Sequence, residues 1–388
     1  MKNWKLLWAA VALLLQGCFL PTFFLQICAS AQASSPSDAI ALEQQGKLAE
    51  AAQVWRAMIE KDPNDPGAFA SLGVILSKEQ KYREAAAAYE KAITLNPKLP
   101  GVQLNLGLAE FKQGYFESAI APLQAASAAD PHNLQAVTLL GLSCYGAKRF
   151  AEATTYLEAA ARSDPSNAEL HEVLAQSCLW AKKYSCALEE FHQILQQNPG
   201  SAAAHMLSGE ALDGLGRTSE AIAEFEAAAK VSPREPNVHF GLGYLYWKSH
   251  QYDEAKREFE SELSVDSGHP LALAYLGDIE MKRSNPDQAV SLLRKAVRAK
   301  NDIRIAYIDL GAIFTQQKQY IDAITALRHA VELDPAQPDA HYRLGRVYQA
   351  MGDAAQSQKE FAKVRELHRK ADEPLASKMS SAPPPLPQ

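Results

Sequence analysis

The sequence lacks the patterns that β-sheet folds and the common nucleotide-binding enzymes require. It has no run in which apolar and polar residues alternate, and it contains no glycine-rich phosphate loop and no acidic calcium loop. Its formal net charge is −6, and its lysines and arginines are spread along the chain without a dense basic run. Strands are therefore not expected, and neither is nucleic acid as a partner.

Two short motifs approach catalytic signatures without completing them. His171-Glu172 opens like the helix of a zinc protease, but Ala175 stands where the second histidine ligand must be. The segment from Gly141 to Gly146 is one residue too long for the turn that presents a nucleophilic serine, and no strand precedes it. We therefore expect a protein that is not an enzyme and that holds no cofactor.

What the sequence does contain is a small residue every 34 positions. Eight glycines keep this spacing, Ala39 and Ala175 fill the two gaps, and a row of alanines that ends in Ser357 follows twelve residues later. Two backbones must therefore approach closely once per repeat. The glycines are Gly73, Gly107, Gly141, Gly209, Gly243, Gly277, Gly311 and Gly345, and the alanines are Ala51, Ala85, Ala119, Ala153, Ala187, Ala221, Ala255, Ala289 and Ala323.

With the glycine as position 8, residues 32–371 divide into ten repeats without insertion or deletion. Positions 4, 7, 8 and 11 share one helical face, and positions 17, 20, 21, 24, 27 and 28 share another, which predicts two successive helices. A turn at positions 14–16 separates these helices, and proline follows the second helix in seven repeats. One such pair cannot bury its own apolar surface, so the pairs are expected to stack into a single elongated α-solenoid.

This pattern resembles the tetratricopeptide repeat, which has an aromatic residue at position 4, Leu at 7, Gly at 8, Tyr at 11, Ala at 20 and 27, an aromatic residue at 24 and Pro at 32. The segments YREAAAAYEKAITLNP (residues 82–97) and HYRLGRVY (residues 341–348) match it closely, and the resemblance covers residues 32–371. It implies an all-α, right-handed superhelix whose first helices line a concave groove, where partner peptides or proteins bind.

Histidine occurs four times at position 4 of the repeat, as His171, His205, His239 and His341. A metal-binding ladder is one interpretation of this row. Equivalent positions in neighbouring repeats are, however, about 10 Å apart, which is too far for one ion with bonds near 2 Å. Position 4 is an aromatic site beside the core, so we expect no metal site.

Three cysteines lie beyond residue 33. Cys144 and Cys178 occupy position 11, where other repeats have leucine, tyrosine or phenylalanine, and they are expected in the core. Cys186 occupies position 19, which is acidic in six other repeats, and it is expected to be accessible to solvent. A thiol there is either unpaired or cross-linked, and a bridge to Cys178 requires side chains that face opposite ways to meet.

Residues 1–33 stand outside the repeats and have the layout of a secretory signal. Lys2 and Lys5 precede an apolar run, and the small residues at 29–33 fit an A-x-A cleavage site. An uncleaved membrane anchor at residues 6–28 and a lipid attached to Cys18 are the alternatives. All three place the repeats outside the cytoplasm, as a periplasmic or secreted protein. The proline-rich residues 372–388 are expected to form a disordered tail.

The first helix of each repeat has a second face, formed by positions 2, 5, 9, 12 and 13, that stacking does not require. We call it the first-helix face, and its apolar character predicts contact with a partner. Its apolar residues are Leu104, Leu108, Phe111, Leu142, Tyr145, Leu179, Trp180, Phe240, Tyr244, Trp247 and Met281. Asp213, Asp278 and Arg346 are its expected polar selectors. The alternative is that some of the apolar side chains pack against the next repeat.

These observations favour an exported, non-enzymatic scaffold that binds a protein or peptide in its groove, in envelope assembly or secretion. No repeat has Lys at position 5 or Asn at position 9, the pair with which similar proteins grip a C-terminal carboxylate. Apolar or aromatic-rich segments are therefore the better candidate ligands. An accessory or regulatory subunit of a separate enzyme and a saccharide-binding groove remain alternatives.

Intact-mass analysis of the exported protein tests the interpretation of the leader. We expect the loss of about 31 to 33 residues, because the small residues of an A-x-A site lie at that distance from the start. The mature chain then begins near Gln32 or Ser34. A full-length mass, or a lipid adduct on Cys18, would contradict this cleavage and favour an anchor.

Overall fold

The computed structural model describes residues 35–380, and every regular element within that range is an α-helix. The predicted cleavage site and the proline run that begins at Pro383 lie outside the described residues. None of the described helices is long and apolar enough to cross a membrane. The helices are α1 (Pro36–Gln44), α2 (Leu48–Lys61), α3 (Pro66–Lys78), α4 (Tyr82–Leu95), α5 (Val102–Lys112), α6 (Phe116–Ala129), α7 (Leu134–Gly146), α8 (Phe150–Ser163), α9 (Ala168–Trp180), α10 (Tyr184–Gln197), α11 (Ala202–Gly214), α12 (Thr218–Val231), α13 (Val238–Lys248), α14 (Tyr252–Val265), α15 (Pro270–Lys282), α16 (Pro286–Ala299), α17 (Arg304–Gln316), α18 (Tyr320–Leu333), α19 (Pro338–Met351) and α20 (Ala354–Ser380).

Each repeat consists of one pair of these helices, as the periodicity predicts, and the turn within each pair has the same geometry in all ten repeats. The residue at position 15 has a left-handed backbone, with φ between 57° and 80°. Its N–H and the next one bond back to the end of the first helix, as in repeat 1, where Gly46 N–H donates to Glu43 and Lys47 N–H donates to Leu42, both at 2.9 Å. This arrangement satisfies the last carbonyls of the first helix and reverses the chain.

The contact that holds each pair together joins position 8 to position 24. A Cβ added to Gly107 would lie 2.4 Å from the Leu123 side chain, and one added to Gly243 would lie 2.8 Å from the ring of Phe259. The alanines of the second row are fully buried, and Ser357, which replaces alanine in repeat 10, donates a hydrogen bond to the Gly345 carbonyl at 3.0 Å. The two rows of small residues therefore mark a close approach of the helices, as expected.

Contacts divide the chain into two units, residues 1–139 and residues 140–388, with the division inside α7. In the first unit, one buried cluster extends from Ala39 to Ala109. In the second unit, a cluster from Leu273 to Tyr348 joins α15 to α19. The first helices α9, α11, α13, α15, α17 and α19 each contact the next in that series. Their outward sides therefore form one continuous face within the second unit.

The C-terminal boundary of the solenoid differs from the one expected. Helix α20 continues to Ser380, past residue 371, where the disordered tail was predicted to begin. Its sequence is rich in lysine, arginine and glutamate, and pairs such as Lys370 with Glu366, at 2.7 Å, stabilise the helix up to residue 371. The proline content of the tail misled the prediction because the prolines are concentrated at its far end.

The expectation that Cys186 carries an accessible thiol is wrong, because Cys186 forms a disulfide with Cys178. Cys178 lies near the end of α9 and Cys186 near the start of α10, so the turn between them brings their Cα atoms to 5.8 Å. The helical positions alone suggested opposite faces, but this close to the turn both side chains point toward the space between the two helices. Cys144 is buried, as expected.

Non-reducing peptide mapping should therefore find residues 178 and 186 in disulfide-linked peptides. We expect Cys186→Ala to lower the free energy of unfolding by about 2–3 kcal/mol, because the bond closes a short loop that is otherwise free in the unfolded chain. Adding a reductant should destabilise the wild type by a similar amount and leave Cys186→Ala unchanged. Complete alkylation of both cysteines in the folded, unreduced protein would contradict the disulfide.

Candidate functional site

The first-helix face is partly accessible, but its predicted residues differ in exposure. Trp180 is 52% exposed, whereas Leu179 is only 5% exposed and belongs to the core. Leu179 was placed on this face by helical position, but α9 is covered there by its neighbours, so we leave it out of the candidate surface. The other nine residues are half-buried: Leu104, Leu108, Phe111, Leu142, Tyr145, Phe240, Tyr244, Trp247 and Met281.

In the first unit, the predicted residues do not share one pocket. Leu108 lines a cavity of about 270 Å³ between α3 and α5, beside Val74 and Lys112. Leu104 lines a different cavity, of about 510 Å³, which is bounded by the loop before α5 and the end of α6. Phe111 packs edge-to-face on Phe116, with ring centroids 5.5 Å apart. The candidate surface in this unit is therefore Leu108 with Phe111.

The start of the second unit carries an exposed aromatic platform. Tyr145 stacks on Trp180 with centroids 5.9 Å apart and an interplanar angle of 6°, and Phe150 packs edge-on against Trp180 at 4.8 Å. The Tyr145 hydroxyl donates to the Gln176 side chain at 2.5 Å and so fixes the tyrosine ring. Stacking therefore holds Trp180 in place while half of its surface stays open to a ligand.

The aromatic residues of α13 are more deeply involved in packing than their helical positions predict. Phe240 and Trp247 pack against the core cluster around Phe259. The Trp247 ring lies edge-on to Tyr275 at 4.8 Å, and its Nε1 donates to Asp278 Oδ2 at 2.5 Å. The alternative interpretation, packing against the next repeat, therefore describes Trp247 better than an exposed anchor does.

The expected polar selectors also have partners within the chain. Asp213 pairs with Lys248 Nζ at 2.7 Å. Asp278, which is 3% exposed, forms an ion pair with Lys282 besides its bond from Trp247. Only Arg346 is exposed, near the hydroxyl of Tyr342 at 3.4 Å. The carboxylates of Asp213 and Asp278 are therefore occupied by partners within the chain, so their main role is to stabilise the packing of the first helices.

Asp309 is a buried acid that the sequence did not single out. It is 4% exposed, and its Oδ2 has no hydrogen-bond partner within the described part of the chain. Burial raises the pKa of Asp309 to about 7, and the nearby Asp278 carboxylate adds to the rise, while Lys282 and Arg343 oppose it. The Asp309 carboxyl is therefore partly protonated at neutral pH.

The four histidines at position 4 pair with glutamates of the same repeat. In each case Nδ1 lies 2.6 to 2.7 Å from a carboxylate oxygen of the second helix. The pairs are His171 with Glu190, His205 with Glu224, His239 with Glu258 and His341 with Glu360. These rings link the two helices of a repeat. Another group with metal-ligating atoms close together is Glu158, Cys178 and Cys186, but its two sulfurs are joined in the disulfide.

A pocket of about 530 Å³ opens on the first-helix face of the second unit, between α11 and α13. We call it the Glu210 pocket. Its lining residues are Tyr184, Met206, Glu210, Asp213, Gly214, Phe225, Asn237, Phe240, Gly241, Tyr244 and Leu245. Phe240 and Tyr244 were predicted for this face, whereas Glu210 and Tyr184 were missed. The volume lies within the range of about 300–1,000 Å³ that is typical of ligand pockets.

Two glycines outside the 34-residue grid shape the Glu210 pocket. A Cβ on Gly214 would lie 2.4 Å from the ring of Tyr184, and a Cβ on Gly241 would lie 2.2 Å from the ring of Phe225. Both glycines therefore let an aromatic ring stand against the helix as a wall of the pocket. A second glycine within a first helix, at position 13 in α11 and at position 6 in α13, was the signal in the sequence that could have revealed this site.

The mouth of the pocket at the start of α13 is fixed by a buried glutamate. Glu262 is 2% exposed, and its carboxylate accepts hydrogen bonds from the backbone N–H groups of Asn237, at 3.1 Å, and Phe240, at 3.0 Å. These bonds satisfy donors at the start of the helix, where a negative charge is also favourable. Asn237 has a left-handed backbone with φ 68°. Glu262 therefore positions Phe240 at the edge of the pocket.

Family models of one repeat type match the sequence between residues 75 and 371. A model described as TPR repeat matches residues 75–114 and 311–352. Three models described as tetratricopeptide repeat match residues 104–168 and 240–303, residues 145–210 and 179–242, and residues 339–371. A comparison with curated proteins gives no significant match.

Several solved structures are similar to this chain. The APC/C hetero-tetramer Cut9-Hcn1 aligns with a TM-score of 0.51 over 85% of this chain and 79% of that chain, at 14% identity. Yeast Tom70 aligns with a TM-score of 0.43 over 88% of this chain and 93% of that chain, at 14% identity. YrrB, described as a TPR protein with an unusual peptide-binding site, aligns with a TM-score of 0.39 over 50% of this chain and 100% of that chain, at 21% identity. The likeness to Cut9-Hcn1 supports the fold alone.

The two tryptophans of the second unit should differ in their contribution to stability. We expect Trp180→Ala to lower the free energy of unfolding by about 1 kcal/mol or less, because half of the ring is already in solvent. Trp247→Ala should lower it by about 2–4 kcal/mol, because it opens a cavity and removes a donor from buried Asp278. Trp247→Phe, which keeps most of the ring, should fall between them. Equal losses in denaturant unfolding would contradict this assignment.

Proposed function

Since the chain belongs to the tetratricopeptide repeat family, we propose that it is a non-enzymatic scaffold that binds an extended peptide segment of a partner protein on its first-helix face. The observation that carries this proposal is the Glu210 pocket. The glycines of the grid hold each helix pair together, whereas Gly214 and Gly241 each meet an aromatic ring of the preceding repeat. These two residues open a concave, aromatic-lined space of a size that suits a ligand.

Further contacts to the partner are proposed separately for each unit. In the second unit, Tyr145 and Trp180 provide an exposed platform, and Phe240 and Tyr244 line the pocket. In the first unit, Leu108 and Phe111 are the candidate contacts. Aromatic residues that are already held by neighbours lose little freedom when they bind, so they suit the role of anchors.

We also propose that the protein is exported and works in the periplasm or outside the cell, in envelope assembly or secretion. The layout of residues 1–33 supports cleavage by a signal peptidase, with an anchor at residues 6–28 or a lipid on Cys18 as alternatives. The disulfide between Cys178 and Cys186 supports the same location, because structural disulfides persist in oxidising compartments.

A saccharide ligand is a second candidate, favoured by one observation. The exposed face of Trp180, held parallel to Tyr145, offers a flat aromatic surface on which a sugar ring packs well. Peptide binding remains the leading proposal because the Glu210 pocket lies on the same face and combines aromatic walls with a charged group.

Selection experiments with residues 34–388 separate the two candidates. We expect a displayed library of random dodecapeptides to yield binders and a glycan array to yield none. Hydrogen exchange with a selected peptide should then show protection in α11 and α13, which line the pocket, and no change in the second helix α18. Glycan binding without peptide binding, or protection that spares α11 and α13, would overturn the proposal.

A further inference from the structure

Repeat 8, two repeats after the one that contains Glu210, shows how a lysine is held at the equivalent positions of the fold. Asp278 and Lys282 occupy positions 9 and 13 of repeat 8, where Glu210 and Gly214 stand in repeat 6. The Lys282 ammonium pairs with the Asp278 carboxylate and lies 5.6 Å from the centroid of the Tyr252 ring. An acid and a cation of a first helix thus meet an aromatic ring from the second helix of the preceding repeat.

Repeat 6 keeps the acid and the ring of this unit but lacks the cation. Tyr184 occupies position 17 of repeat 5, as Tyr252 does in repeat 7. Position 13 is Gly214, whose added Cβ would lie 2.4 Å from the Tyr184 ring. A lysine side chain therefore cannot start from this position without displacing Tyr184. The space that such a side chain would fill belongs to the Glu210 pocket.

Among the residues that the structure describes, no ion pair puts another cation in place of the missing lysine. Lys248, which occupies position 13 of the next repeat, is paired with Asp213 at 2.7 Å. Within the described part of the chain, Glu210 makes no ion pair, and the residue is exposed to the pocket and to solvent. Burial of part of its carboxyl raises the pKa of that group. The pocket therefore carries one uncompensated negative charge beside Tyr184, Phe240 and Tyr244.

We propose that the Glu210 pocket binds the ammonium group of a lysine side chain from the partner peptide, at the place that Lys282 fills in repeat 8. This inference rests on the proposed function, since the lysine arrives as part of the bound peptide. Charge complementarity with Glu210 and attraction of the cation to the aromatic walls both favour this occupant. Apolar residues on either side of the lysine then contact Met206 and Phe240.

The test uses one peptide selected from the dodecapeptide library and synthesised in four forms. The candidate lysine is kept, or it is replaced by arginine, by N-acetyllysine or by norleucine. We expect the neutral forms to bind the wild type about 10-fold or more weakly than the lysine form, because they lose a charge-assisted hydrogen bond. Arginine should retain most of the affinity, since it keeps the charge.

Variants of the protein test the partner of that lysine. Glu210→Gln should bind the lysine peptide more weakly than the wild type by the same factor of about 10 or more. Its affinity for the norleucine peptide should equal that of the wild type, which is the result expected when Glu210 and the lysine interact directly. Glu60→Gln, at an exposed site on α2, removes the same charge and should bind like the wild type. If Glu210→Gln fails to fold, the norleucine and acetyllysine arms on the wild type still decide the question.

The outcomes separate this inference from the function on which it rests. Selected peptides that share no cationic residue, or equal binding of the lysine and norleucine forms, would overturn the lysine site and leave the peptide-binding scaffold standing. Failure to select any peptide would overturn both. An equal loss in Glu210→Gln and Glu60→Gln would assign the effect to net charge and contradict a specific pair.

Discussion

The structure depends on one contact that recurs in almost every repeat, that of the backbone at position 8 with the large side chain at position 24. Where Gly107 meets Leu123 or Gly243 meets Phe259, no Cβ fits between the two helices. This approach sets how closely the helices of a pair lie, and therefore where the remaining faces point. The first-helix face and its pocket exist because one side of each first helix is committed to this contact.

The periodic features could be predicted from sequence because each has a single local cause. Helix pairs, turns and buried small residues follow from spacing and residue size alone. Cys178–Cys186 was not predicted because helical positions alone do not show how the turn within repeat 5 brings the two side chains together, and the extended α20 was missed because of the prolines in the tail. Buried Leu179 could not be predicted because its burial depends on the elements packed around α9. The Glu210 pocket was missed for a related reason, since Tyr184 and Gly214 come from different repeats and meet only after stacking.

Two aspartates of the first-helix face are each paired with a lysine of a first helix. Lys248 with Asp213 and Lys282 with Asp278 are pairs between or within first helices, and each leaves little charge for a ligand. Glu210 departs from this pattern, as does Asp309, whose pKa is raised by burial and whose Oδ2 has no hydrogen-bond partner among the described residues. Such departures from a repeated rule are where a binding function is best sought in a protein built of similar units.

The turn at position 15 has a consequence for the resilience of the molecule. Six of the ten left-handed residues there are not glycine: Gln80, Lys148, Lys182, His250, Ser284 and Lys318. A left-handed backbone costs a residue with a Cβ about 1 kcal/mol, so replacing these six residues is expected to increase the free energy of unfolding. Because the turns lie in separate repeats, replacements by glycine or asparagine should add nearly independently. The protein can therefore be made more stable by substitutions in the turns at position 15, without changing the residues of the first-helix face.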